Sequence, residues 1–246
     1  MLTVGSGTCG AGGSLSAYGG RSTVNTGGAL SVSSGEGTAT TSGSVVIRSM
    51  NGGAAGSSGM LAFSSGISNT GNSGSVSIGT GASTAGRSGY VMLTVGSGTS
   101  GSGGSLAAHA GRSTVASGGS LTLTSGEGTA TTSGAVVIRS MNGGTAGSSG
   151  MLVFSSGIST AGNSGSISVG SGATTAGRGG AVVVSVGSGT SGSGGTLSAH
   201  AGRSTVHTGG LLSIYSGEGT ATSSGQVMIR SLNGGSGGSS GMLVFS

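Results

Sequence analysis

The sequence predicts an all-β fold, a parallel β-helix-like β-solenoid with two faces and a flattened cross-section. Three observations predict it. Units of fifteen residues repeat from end to end. In the first half of each unit aliphatic and polar residues alternate, the two-residue period of a strand with one buried face. Glycine interrupts most units at the midpoint and closes every one.

The pattern is clearest in SLTLTSGEGTATTSG, residues 120–134, where Leu121 and Leu123 share one side and Ser120, Thr122 and Thr124 the other. From Ser14 the units begin at 14, 29, 44, 60, 75, 90, 105, 120, 135, 151, 166, 181, 196, 211 and 226, and one sixteen-residue unit recurs in each block of 91 residues. Ser14, Ser105 and Thr196 are therefore equivalent. The repeats read as one continuous array over 1–246, in blocks of about 1–13 (partial), 14–104, 105–195 and 196–246 (partial). Both ends fall inside a unit, which reads as a window of a longer chain.

Position two is always aliphatic, as in Leu15, Leu30, Val45 and Leu61; position four is aliphatic, aromatic or alanine, with Phe63, Phe154 and Phe245 in the same unit of each block. Position eleven is small (Val115, Ala130, Thr145, Ala161, Ala176, Ser191), and is expected to face inward against the bulkier strand. Two strands of about five residues joined by glycine corners would close a loop roughly 50 Å around, stacked on the next at ~4.8 Å. Glycine at both corners is expected to supply backbone angles that a Cβ resists. A triangular rung is the structural alternative.

Composition bounds the rest. Of 246 residues 62 are Gly, charged residues make up 4% and aromatics 2%, with no Pro or Trp. So few large side chains cannot fill one globular core, which leaves an ordered repeat with a thin one. The net charge of +5 comes from eight Arg spread along the chain, without the clustering and interleaved aromatics of a nucleic-acid binder. No apolar run approaches the ~18 residues of a spanning helix. The lone Cys9 aligns with Ser100 and Ser191 and has no intrachain partner for a disulfide.

Catalytic and metal chemistry lack their residues. There is no Asp, and the three Glu (Glu36, Glu127, Glu218) stand 91 residues apart, so no carboxylate pair for sugar hydrolysis is expected. Stacking would put them beside Arg21, Arg112 and Arg203, at position eight of the adjacent units, as exposed ion pairs worth ~0.2–1 kcal/mol each. His109 and His200 are equivalent residues six units apart, too distant to share a metal, and His207 has no His counterpart. The GxG stretches lack a strand-to-helix context and read as turns. No enzyme activity, cofactor or metal is expected.

Two features are candidate sites. Position ten is threonine in most units, at Thr23, Thr38, Thr84, Thr99, Thr114, Thr129, Thr160, Thr175, Thr190, Thr205 and Thr220. With position eleven inward these would form an outward ladder on a flat face, similar to the ranks of ice-binding β-solenoids. Threonine's preference for strands is the plainer account. The second feature is the sixteen-residue unit, which carries Arg48, Arg139 or Arg230 and replaces the corner glycine by Met50, Met141 or Leu232. An inserted residue should bulge, displaying a charge and an apolar side chain at regular intervals for lateral docking; plain block duplication is the alternative.

The phrases GSGTSGSGG, SGEGTATTSG, SGISTAGNSG and GATTAGRGG resemble the very long Gly/Ser/Thr repeat proteins predicted from genomes of diatoms and other algae or protists. The resemblance covers the whole chain and implies a secreted or cell-surface structural role. The reading is a structural protein: a rigid shaft of an extracellular fibre, appendage or matrix that associates with itself or with other structural subunits. Glycan contact or O-glycosylation is compatible with it. The alternative is an ice- or carbohydrate-binding module using the threonine face.

Overall fold

Each unit has two parts, an open segment over positions one to six and a loop over positions seven to fifteen. The structure is a computed structural model that describes residues 2–8 and 10–245; Cys9 lies outside the described residues. The chain divides into Met1–Thr122 and Leu123–Ser246, and the division falls inside the unit 120–134. Both parts show the same local pattern. The open segments contain no bend, and the chain then turns at positions ten to twelve, for example over 23–25, 38–40 and 114–116 in the first part and 129–131, 160–162 and 205–207 in the second.

One backbone hydrogen bond pins many of these loops at the neck. The amide of the closing glycine donates to the carbonyl of the midpoint glycine eight residues earlier: Gly28 to Gly20 at 2.7 Å, Gly119 to Gly111 at 2.8 Å, Gly134 to Gly126 at 2.9 Å and Gly225 to Gly217 at 2.8 Å. In the sixteen-residue units a tighter turn replaces it, with the amide of Gly56, Gly147 or Gly238 donating to the carbonyl three residues back at 3.1 Å. The extra residue is absorbed in that turn.

Position nine decides how the loop bends, in one of two ways. Where it is serine, the hydroxyl accepts the amide of position twelve: Asn25 to Ser22 at 2.9 Å, Gly71 to Ser68 at 3.0 Å, Ala116 to Ser113 at 2.9 Å and Gly162 to Ser159 at 3.0 Å. Such a hydroxyl stands in for a backbone turn acceptor. Where it is glycine, the backbone crowds in. A Cβ on Gly128 would lie 2.5 Å from the carbonyl oxygen of Thr132, and one on Gly98 would lie 2.8 Å from that of Gly101.

The expected β-solenoid is not what forms. Among the described residues there is neither helix nor strand, and the backbone bonds run within a unit, over eight or three residues, where a stacked rung would bond to its neighbour about fifteen residues along. The interior is missing too. No described residue is buried; the aliphatics of position two are half-exposed, and position eleven, expected inward, is among the most exposed, with Val24 at 87% and Val115 at 97%. The physical reason is bulk. Alanine, serine and threonine opposite the aliphatic side present too little apolar surface to offset the ~1–2 kcal/mol that each ordered residue costs. The glycine role differs as well: no described glycine has positive φ, and glycine is needed where chains touch, at positions nine and fifteen. Within each part the expected ion pairs also fail to form: Glu36 stays outside ion-pair distance of Arg21, and Glu218 of Arg203, among the described residues.

Close approach therefore separates glycines that look alike in sequence. Gly128→Ala should open its loop, because the methyl meets a carbonyl oxygen, whereas the Cβ of Gly126→Ala enters open space. The second change should stabilise by ~0.4–1 kcal/mol through the unfolded state. Amide exchange of Gly134 reads both: faster in the first variant, equal or slower in the second.

Candidate functional site

Two of the sixteen-residue units carry concavities. Arg48, Ser49, Met50 and Asn51 line a hollow of about 270 Å³, and Arg139, Ser140, Met141 and Asn142 line one of about 260 Å³. The two segments are equivalent in the 91-residue block. Arg48 and Met50 thus line one recess together, and Arg139 and Met141 another. The inserted residue lies further on, in the turns at 54–56 and 145–147. In the third copy Arg230 is exposed and Leu232 is 71% exposed, matching Met50 and Met141.

The arginines of these hollows are uncommitted within the chain. Every side-chain hydrogen bond among the described residues uses a Ser or Thr hydroxyl, either as acceptor of a loop amide or, at Thr80 and Ser171, as donor to the closing glycine carbonyl. Each guanidinium keeps its planar fork of donors open. The serine and asparagine beside it add hydroxyl and amide groups, and the methionine or leucine adds an adaptable apolar wall. Such a group of residues suits a carboxylate carried on an aliphatic stem.

A third hollow is apolar. Phe63 of one unit and Val76, Ser77 and Ile78 of the next line about 390 Å³, with Phe63 65% and Ile78 72% exposed.

The threonines of position ten are all exposed, and each is the first residue of a bend. They punctuate turns and do not lie on a strand face, so the flat ladder has no platform among the described residues. His109, His200 and His207 are exposed as well; the amide of His207 donates to Ser204 Oγ at 2.8 Å. Sequence reasoning missed the serines of position nine and the Ser/Asn partners of each arginine. The signal for the first was present, since position nine holds only Gly or a hydroxyl residue in every unit.

Among the described residues no helix is long and apolar enough to cross a membrane.

Removing one hydroxyl tests the bend. Ser204→Ala leaves the amides of Val206 and His207 without their acceptor. A neutral hydrogen bond of this kind contributes ~0.5–1.5 kcal/mol, so the His207 amide should exchange about fivefold faster while the amides of the unit 211–225 keep their rates.

No family model, no curated protein and no solved structure matches this chain.

Proposed function

We propose that this chain is a structural protein of an extracellular fibre, appendage or matrix, and that it works by associating with further copies of itself. One observation carries the reading. The chain exposes 23657 Å², whereas a folded monomer of 22.3 kDa exposes ~9400 Å² and its unfolded chain ~32,000 Å². A single copy therefore leaves about three quarters of its unfolded surface open to water. The open surface is not polar filler: position two supplies an aliphatic side chain in every unit, and these side chains are about half-exposed or more.

So many aliphatic side chains left exposed are the kind of surface that marks association. A standard protein interface buries only ~1,600 Å², so one dimer contact would cover a small part of the excess. Coverage on several sides by equivalent neighbours covers more, which is the arrangement of a fibre or sheet-like matrix. The role is mechanical and non-catalytic, and the sparse, scattered charge leaves the apolar positions as the cohesive element.

Sedimentation across rising concentration, followed by negative-stain imaging, tests this. Polymers that grow with concentration are expected. A monodisperse monomer at every soluble concentration would sink the reading. A pair of variants locates the cohesive face. Covering one leucine contributes ~1.5–3 kcal/mol, so Leu121→Asp should raise the concentration needed for assembly by more than tenfold. Thr122→Asp, on the opposite side of the same segment, should change it little.

A further inference from the structure

If copies associate through position two, they face a problem of register. The aliphatic side chain recurs in every unit, so sliding one copy by a whole unit leaves the apolar contacts equivalent. Register is weakly specified wherever the repeating contact is uniform. Features that recur only once per 91 residues can break the degeneracy, and two of them are opposite charges. Glu36, Glu127 and Glu218 stand twelve residues before Arg48, Arg139 and Arg230 in all three blocks.

Both groups are exposed, and neither is ion-paired within the chain among the described residues. The carboxylates are scarce, three against eight Arg, so their placement governs how a net-positive chain meets another of its kind. The Arg48 and Arg139 hollows, at about 270 and 260 Å³, fall below the ~300–1,000 Å³ of small-molecule sites. They are of a size for one side chain. The guanidinium fork takes a carboxylate through two parallel hydrogen bonds, Ser49 and Asn51 offer further donors, and Met50 can lie along the stem.

We propose that each of these arginine hollows receives the glutamate of a second copy of this chain, and that this pair sets the register between copies. The proposal rests on the self-association reading above and names the contact that it leaves open. Cohesion comes from the apolar positions; the charge pair chooses among slipped alternatives, as charge complementarity does at other interfaces. Because the three pairs share one sequence offset, the alignment that satisfies one is repeated in every block.

Charge exchange in trans tests it with the full chain. One variant carries Arg48→Glu, Arg139→Glu and Arg230→Glu; the other carries Glu36→Arg, Glu127→Arg and Glu218→Arg. Light scattering gives the concentration at which each assembles, alone and mixed one to one. Each alone should need about tenfold more protein than the unaltered chain, and the mixture should return to within about twofold of it. If the unaltered chain assembles and the variants match it, or the mixture gives no rescue, the pairing is overturned and self-association stands. If the unaltered chain never assembles, both fall. Retention on immobilised polyuronate that the Arg→Glu variant alone loses, with its assembly unchanged, would assign the hollows to an acidic polysaccharide and overturn the pairing.

Discussion

The amide of Gly134 donates to the carbonyl of Gly126 at 2.9 Å, and the bond recurs at Gly28, Gly43, Gly119, Gly210 and Gly225. It joins two backbones eight residues apart and closes a loop whose only other support is a hydroxyl or a close glycine contact at position nine. Loop-closure entropy grows slowly with length, so a short closed loop is the least costly long-lived contact open to a chain so rich in glycine. Where it forms, the bond holds positions seven and fifteen together, and positions one to six are the connecting segments that carry the aliphatic side chains.

Satisfying the backbone locally has a consequence for the surface. A stacked rung would spend its amides and carbonyls on neighbouring rungs and press its side chains into an interior. Here the bonds stay within the unit, and Leu121, Val136 and Leu152 remain half-exposed. A lone copy thus presents unpaired segments with aliphatic residues on one side, the combination that invites pairing with another chain. The rarity of charge sharpens this, since charged residues are what edge segments commonly use to prevent such pairing. Cohesion between copies and looseness within one copy share a cause.

Repetition adds the question of alignment. Fifteen-residue units make all apolar contacts alike, whereas the 91-residue block distinguishes its members through one Glu, one hollow-lining Arg and one Phe. The sixteen-residue unit keeps the repeat in phase because its added residue is taken up in the 54–56 turn. Arg48 and Met50 therefore stay ahead of the turn, beside Ser49 and Asn51, as Arg139 and Met141 do beside Ser140 and Asn142.

Much of the local structure was legible in the residues. The unit length follows from periodicity and recurs in the spacing of the bends, whereas the expected corners at positions seven and fifteen give way to a bend at positions ten to twelve, where the sequence predicts a second strand. Alternation says which side chains share a side, but not what covers that side. Glycines at positions seven and fifteen serve equally as corners of a stacked rung and as the neck of a closed loop, so the sequence alone could not tell a bond spanning eight residues from one to the next unit. That choice is non-local. It depends on whether enough apolar bulk meets across the interior, and Ala130 or Ala161 opposite the leucines supplies too little. Only the tertiary structure decided that Val115 faces water, that the threonines of position ten ride on bends, and that Arg48 opens into a hollow, because each depends on where the backbone closes.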